Sequence, residues 1–297
     1  MTAQTKDKGQ MRTEKSQLVW LVRFGLFCLF LAGEALIFIF GAHYFDVFPT
    51  NKNLTFNLII SAGFLIITLW FRSSLKLQAH WRIPFAFFIA SFAFPLTALL
   101  DPVIRTILGW FNETASTTRG IAIEKVSEAL IKSVPILLLV KLSGADFGSV
   151  FLKRGNLRLG MGIGWLVFFF VAPTGFMFAA QRFTSTDALG TAVVWGLVFS
   201  AANAFMEELW LRGVFLKRFE SLIGINGAVW VTSLIFAGLH SFSFYFMPAA
   251  IPFFFINTLA LGLGCGYLMM KSDSLWGPVI IHAASDFVLF IALLSNA

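Results

Sequence analysis

The sequence predicts an all-α polytopic membrane protein, a bundle of about eight or nine transmembrane helices around a buried polar site. Composition is the first observation behind this prediction. Of the 297 residues, 58% are hydrophobic and only 12% are charged, which is more apolar surface than a water-soluble core can bury. The second observation is that long apolar runs recur between short polar connections, and roughly 20 apolar residues span a bilayer as a helix.

The first half of the chain divides into a polar tail and a set of spans. We interpret residues 1–16 as a polar cytoplasmic N-terminal tail and residues 17–159 as N-terminal transmembrane helices with their connections. Glu128 and Lys132 in the last of these spans have the i,i+4 spacing of a favourable ion pair. Glu34 is an intramembrane carboxylate, for which a hydrogen bond to another helix is the commoner role and a functional one the alternative. Predicted spans cover about residues 18–44, 54–71, 83–100 and 121–142.

Residues 160–297 carry a second group of predicted spans. One of them, at about residues 189–222, would be about 50 Å long at the helical rise of 1.5 Å per residue, longer than a hydrocarbon core is thick. The segment at about residues 226–240 is short for a span, so the span count is open by one. The other predicted spans of this group cover about residues 160–180, 248–270 and 275–294.

Charge and cysteine content exclude several classes of protein. A net charge of +7 would suggest nucleic-acid binding in a soluble protein, but the basic residues cluster between apolar runs, as topology signals do. Most lie in the N-terminal tail and near residues 72–82, 141–158, 217–218 and 271, which predicts a cytoplasmic N-terminus. Cys28 and Cys265 both lie in apolar runs, so neither a disulfide framework nor a thiol nucleophile is supported.

The segment Glu207-Glu208-Leu-Trp-Leu-Arg212 places three ionisable groups inside an apolar helix. Each such group costs roughly 2.5–3.5 kcal/mol at the bilayer centre. At about 100° per residue, Glu208 and Arg212 share a face one turn apart and can neutralise each other. Glu207 points about 100° away from Glu208, so we expect it to face a group on another helix.

Two histidine motifs on other apolar segments offer partners for Glu207. Phe236-Ala-Gly-Leu-His240 and His282-Ala-Ala-Ser-Asp286 each place two side chains on one helix face, with small residues between them. For either histidine alone, a structural hydrogen bond to a neighbour is the commoner explanation, and EExxxR alone is as readily explained by a structural ion pair. Together, on three helices, they form a set that can activate water. In a hydrolase, Glu207 would be the general base and His240 would position the water, while His282 and Asp286 would hydrogen-bond the carbonyl oxygen. To donate, Asp286 must be protonated; otherwise it would orient His282.

The motifs EExxxR, FxxxH and HxxxD occur in this order over about residues 190–290. In this the chain resembles the CAAX prenyl protease and bacteriocin-processing family of intramembrane endopeptidases (CPBP, ABI or type II CAAX protease-like). The resemblance implies that Glu207 activates water with His240 as its partner. It also implies that His282 and Asp286 form the oxyanion site, where the family carries Asp or, in its eukaryotic-type members, Asn.

The resemblance further implies that Glu208 and Arg212, with Phe236, support the site, and that residues 160–297 form a CAAX protease-like catalytic transmembrane core. We expect an endopeptidase that hydrolyses a peptide bond of a membrane-associated protein or peptide, including one of the prenylated CAAX type. The expected partners are this substrate and the lipid bilayer, without nucleic acid. The expected location is the bacterial plasma membrane.

The chemistry of water activation is open between a glutamate and a metal ion. We expect no cofactor, because the sequence has no HExxH motif and a zinc ion would occupy the groups needed as base and oxyanion donors. Zn²⁺ is the alternative, with Glu207, His240, His282 and Asp286 as its ligands. Two other functions also remain open, a non-catalytic scaffold or immunity protein of the same family and a proton-coupled transporter.

Overall fold

Ten α-helices and no strand occur in a computed structural model that describes residues 3–42, 50–110, 117–179, 183, 185–243 and 247–294. Within these ranges, seven helices are long and apolar enough to cross a membrane, and α10 is a shorter apolar helix. The prediction of an all-α polytopic membrane bundle is therefore confirmed. The helices are α1 Ala3–Phe38, α2 Thr50–Ser73, α3 Arg82–Ile107, α4 Thr118–Leu142, α5 Leu157–Val171, α6 Thr174–Ala179, α7 Thr186–Glu207, α8 Leu216–Phe242, α9 Ile251–Ser272 and α10 Trp276–Leu289.

The predicted N-terminal region begins with a polar segment and ends with a charged helix. The helix α1 already begins at Ala3, but its apolar candidate span starts only at Gln17, so the polar tail is helical as far as it is described.

The helix α4 carries too many charges to count as a candidate span and packs between α3 and α7. Its predicted ion pair is confirmed, because Lys132 Nζ lies 2.5 Å from Glu128 Oε1, and Lys125 Nζ joins the same carboxylate at 2.6 Å.

The prediction of one continuous helix over residues 189–222 is wrong. The helix α7 ends at Glu207, a π-helix covers Glu208–Gly213, and α8 starts at Leu216. A second break lies inside α8 at Gly224, whose φ of 76° and ψ of 169° are not helical and are readily adopted by glycine. Apolar periodicity cannot separate an α-helical turn from a π-helical one, and single π-turns occur frequently at functional sites.

One end of the bundle gathers several connections. The Leu275 N–H donates to the Phe151 carbonyl at 2.9 Å, and the Asn156 N–H donates to the Ser272 carbonyl at 2.7 Å. These bonds join the connection between α4 and α5 to the turn between α9 and α10. We call this the basic end, and define it by the connection 143–156, the turn 272–275 and the first turn of α8.

Asp273 joins the three segments of the basic end by charge. It pairs with Lys153 of the connection, and its Oδ1 lies 2.8 Å from Lys217 Nζ at the start of α8. Partial burial opposes the ionisation of Asp273, but the hydrogen bonds from the two lysines outweigh it and lower its pKa. The hydrogen bond to Asp273 raises the pKa of Lys153. The pair is therefore ionised on both sides around neutral pH.

The helices α5 and α10 approach each other through glycine. A Cβ built on Gly277 would lie 2.5 Å from the Gly160 carbonyl oxygen, and one on Gly164 would lie 3.0 Å from the Gly277 carbonyl oxygen. Small residues at such crossings let two helix backbones meet within a membrane. This contact sets the position of α10, which carries His282 and Asp286.

We expect Gly277→Val to separate α5 from α10 and to destabilise the protein by about 1–3 kcal/mol, the usual cost of overpacking. The measurement is the apparent unfolding temperature in detergent at one fixed scan rate. Gly162→Val is the matched control, because it places the same side chain on α5, where a Cβ meets nothing within 4 Å. Equal unfolding temperatures for the two variants would contradict the close approach.

Candidate active site

The three predicted motifs meet at Glu207. This residue ends α7, immediately before the π-helix. Its Oε2 lies 3.4 Å from His240 Nε2, near the end of α8, and 3.7 Å from His282 Nε2, in α10. The group that Glu207 was expected to face on another helix is therefore a pair of imidazoles from two helices.

The predicted pair of Glu208 and Arg212 is formed inside the π-helix. Arg212 Nη1 donates to Glu208 Oε1, and both side chains are completely buried. The guanidinium carbon of Arg212 lies 4.2 Å from the centroid of the Phe236 ring, within the range of a cation–π contact. Phe236, the predicted support residue of the second motif, thus covers this ion pair.

Glu208 also contacts the histidine of the third motif. Its Oε1 lies 2.9 Å from His282 Nδ1, and His282 is only 1% exposed. The sequence predicted only an ion pair between Glu208 and Arg212. In the structure the same carboxylate oxygen serves Arg212 and His282, so the ion pair and the predicted catalytic groups form one network.

The tautomer of His240 follows from its backbone contact. His240 Nδ1 lies 2.9 Å from the Phe236 carbonyl oxygen, and a carbonyl can only accept a hydrogen bond. Nδ1 therefore carries a proton. In the neutral ring, the lone pair is then on Nε2, the atom that faces Glu207.

Asn203 is a residue of the site that the sequence motifs did not single out. Its Nδ2 donates to Asp286 Oδ2 at 3.0 Å, and the other oxygen of Asp286 lies 3.5 Å from His282 Nε2. Asn203 precedes Glu207 by four residues and so lies on the same face of α7. The four-residue spacing between Asn203 and Glu207 could therefore have identified Asn203 as a candidate site residue from the sequence.

A cavity of about 620 Å³ lies against the site. It reaches His240, His282 and Asp286, and its walls come from α5, α6, α8, α9 and α10. Within the part of the chain that the structure describes, Glu207 Oε2 accepts no aligned hydrogen bond. This buried oxygen, which lies beside two residues of the cavity wall, has capacity for a further donor.

Three of the four zinc ligands suggested by the sequence lie close together. Glu207, His240 and His282 each offer one ligand atom within 4.8 Å of the others, and Asp286 is outside this group. Three protein ligands and an open position are the usual pattern of a catalytic zinc site. Glu208 holds the far nitrogen of His282, as carboxylates often do for zinc-bound histidines. The residues present therefore fit a zinc ion.

Glu34 lies outside the cluster formed by Glu207, His240 and His282. It is 1% exposed, between Phe30, which stacks on Phe219, and Phe38, which contacts Trp210 edge to face. Its Oε1 has no hydrogen-bond partner among the described residues, so the expected hydrogen bond to another helix is not made by that oxygen. Arg212 is the cation that acts on Glu34 electrostatically.

The fold and this site define a polytopic membrane protein in which a partly buried glutamate and histidine and a buried second histidine meet between the helices. Residues 189–288 match the family model of the type II CAAX prenyl endopeptidases, Rce1-like, which confirms the resemblance predicted from the three motifs. All seven residues that the motifs singled out lie inside this match. No curated protein and no solved structure matches the chain.

We expect Glu208→Ala and Arg212→Ala to lower the folded yield and the apparent unfolding temperature more than Glu207→Gln does. Either alanine variant leaves a buried charge unpaired, which costs about 3–5 kcal/mol. Glu207→Gln, the matched control, keeps the side-chain shape and leaves the ion pair intact. The measurements are size-exclusion yield and thermal unfolding in detergent. Similar values for all three variants would contradict the division between supporting and reacting carboxylates.

Proposed function

We propose that the protein is an intramembrane endopeptidase that hydrolyses a peptide bond of a membrane-associated protein or peptide. The observation that carries the proposal is Glu207 Oε2, a buried carboxylate oxygen that lacks an aligned donor and lies 3.4 Å from His240 Nε2. A carboxylate oxygen and an imidazole lone pair are both acceptors. Together they can hold one water molecule by its two hydrogens.

In the proposed mechanism this water is the nucleophile. Glu207 takes one of its protons as the water oxygen attacks the carbonyl carbon of the substrate, while His240 Nε2 orients the water through its other hydrogen. The carbonyl oxygen becomes an oxyanion in the tetrahedral intermediate. Glu207 then returns the proton to the leaving amine as the C–N bond breaks, so that the carboxylate is regenerated.

His282 is the proposed donor to the oxyanion. Both of its ring nitrogens face carboxylate oxygens, Nδ1 at 2.9 Å from Glu208 and Nε2 at 3.5 Å from Asp286, and a ring that donates from both nitrogens is an imidazolium. His282 lines the cavity, where a positive donor would stabilise the developing negative charge.

Asp286 has a different proposed role from the one that the resemblance implied. Because Asn203 Nδ2 donates to its Oδ2, that oxygen is an acceptor, and the other oxygen faces a ring nitrogen of His282. This favours a carboxylate that orients His282 over a protonated acid that donates to the substrate. Of the two roles left open by the sequence, we propose the orienting one.

We expect Glu207→Gln to reduce peptide hydrolysis by about 10²–10⁴-fold, the usual contribution of a general base. Purified wild type and variant are compared on a panel of peptides and on the membrane proteome, with products identified by mass spectrometry. Arg218→Lys, a change at the basic end, is the control for handling and folding. Identical products from wild type and Glu207→Gln would refute the protease proposal and favour the scaffold or transporter alternatives.

A metal-dependent form of the same reaction is favoured by one specific observation, the mutual proximity of Glu207, His240 and His282. A zinc ion held there would supply a Lewis acid for the carbonyl and an activated water. We propose the metal-free form, because it gives a role to both contacts of the His282 ring, that of Nδ1 with Glu208 and that of Nε2 with Asp286.

The two forms give different results in a metal assay on pure, active protein. For the metal-free form we expect less than stoichiometric zinc and full activity after treatment with a chelator. Stoichiometric zinc, whose removal abolishes activity and whose return restores it, would overturn the metal-free form while leaving the endopeptidase proposal in place.

A further inference from the structure

An apolar groove lies between α1, α2 and α3, apart from the candidate active site. It has a volume of about 620 Å³, and among the described residues it shares no lining residue with the cavity beside His240 and His282. The helix α8 lines the groove with Leu222, whereas His240 lies near the other end of that helix. We call this feature the α1–α3 groove.

The α1–α3 groove has the depth of one membrane leaflet. On α1 its lining runs from Leu26 to Leu36, which is about 15 Å at the helical rise of 1.5 Å per residue. The hydrocarbon core of a bilayer is about 30 Å thick, so this length is half of it. His80, in the connection between α2 and α3, marks the outer end of the groove, and Leu222, in the second turn of α8, places that end at the basic end of the bundle.

The floor of the α1–α3 groove consists of aromatic rings that pack on one another. The Phe87 ring stacks on Phe64 with the centroids 5.1 Å apart, and its centroid lies 6.4 Å from that of Phe30. Leu29 and Ile67, which also line the groove, are exposed. The groove is therefore preformed by its floor and open along its side, where the surrounding lipid lies.

The chemistry of the lining favours a hydrocarbon chain over a peptide as the occupant. Of the described lining residues, His80 alone has a polar side chain. An extended peptide would bury backbone N–H and C=O groups without partners, which is costly in a membrane. A helix about 10–12 Å in diameter does not fit inside a groove of about 620 Å³ that is about 15 Å long. An acyl chain has no polar group to satisfy and has the length of one leaflet.

Positive charge gathers at the outer end of the α1–α3 groove. The guanidinium carbons of Arg72 and Arg82 lie 5.3 Å and 5.5 Å from the centroid of one ring, that of Trp81, and His80 precedes this tryptophan in the chain. Both arginines and His80 are exposed. Among the described residues, no Asp or Glu forms an ion pair with either arginine. Basic pockets of this kind between transmembrane helices bind anionic lipid head groups.

We propose that the α1–α3 groove binds one anionic phospholipid from the leaflet at the basic end. An acyl chain lies along the groove, and the phosphate lies at Arg72, His80 and Arg82. The apolar lining and the unpaired cations complement the two parts of such a molecule. The bound lipid contacts three helices outside the family match and, through Leu222, the helix α8 inside it. The proposal does not depend on the endopeptidase function.

Native mass spectrometry of the full-length, delipidated protein in a nonionic detergent tests the head-group preference. Phosphatidylglycerol and phosphatidylcholine with identical acyl chains are added at equal concentrations. We expect phosphatidylglycerol to be retained preferentially, and Arg72→Ala and Arg82→Ala each to lower this preference by about fivefold. Arg158→Ala is the matched control, because it removes an exposed cation from α5, which packs mainly against α10. Equal retention of the two lipids by the wild type, or an equal loss in Arg158→Ala, would overturn the proposal.

Ala32→Phe tests the acyl-chain part of the site while every cation stays in place. Ala32 is an exposed residue of the groove lining, so the added ring occupies the groove without entering the packed core. We expect this variant to lose most of the bound phosphatidylglycerol. Val22→Phe is the matched control, because it adds the same ring at an exposed position of α1 outside the lining. Equal retention of phosphatidylglycerol by the two variants would contradict a chain in the groove.

A competition experiment distinguishes a membrane phospholipid from the lipid chain of a substrate. A farnesylated peptide and the same peptide without its farnesyl group are each added to the lipid-bound protein at equimolar concentration. We expect both to leave phosphatidylglycerol in place. Displacement that requires the farnesyl group would overturn the proposal and assign the groove to a lipidated substrate. All of these measurements record binding, so their outcome is separate from that of the peptidase assay.

Discussion

The contact on which the site depends is the carboxylate of Glu208 in a completely buried position. One of its oxygens accepts from Arg212 and lies 2.9 Å from His282 Nδ1, so the π-helix and α10 are tied together at a single atom. Arg212 in turn stacks on Phe236 of α8. In a medium without water none of these charges can be released singly without leaving another unpaired. One ion pair therefore links the π-helix, α8 and α10.

Two adjacent glutamates contact one histidine at the junction of α7 and the π-helix. Glu207 Oε2 lies 3.7 Å from His282 Nε2, while Glu208 reaches Nδ1 of the same ring. In the sequence these carboxylates read as two independent features, because neighbouring residues of a helix point about 100° apart. The structure joins them through the imidazole. Glu208 orients the imidazole ring through its Nδ1 atom, and Glu207 approaches the Nε2 atom of the same ring.

Spacing within one helix was predictable from the sequence, whereas contacts between helices were not. The i,i+4 relations predicted the Glu208–Arg212 and Glu128–Lys132 pairs, and the order of the three motifs predicted the family model that residues 189–288 match. The contact between Glu208 and His282 depends on how α10 is rotated relative to the π-helix, and no local pattern contains that angle. The π-helix itself was missed because its apolar residues satisfy an α-helical period equally well. Glu34 belongs to no motif, yet it interacts electrostatically with Arg212 from a helix outside the family match.

The metal-dependent and metal-free mechanisms differ in the state of one atom, His282 Nε2. A zinc ion would need the lone pair of this nitrogen, whereas donation to an oxyanion needs a proton on it. The neighbouring groups can be compared on this point. Asp286 approaches the nitrogen with Oδ1 at 3.5 Å, and its Oδ2 accepts a hydrogen bond from Asn203. In the proposed ionised form Asp286 would accept a hydrogen bond from the ring. Glu207 also presents a carboxylate oxygen to it. Two acceptors around one ring nitrogen complement an N–H, and this complementarity is the reason why we propose the metal-free mechanism.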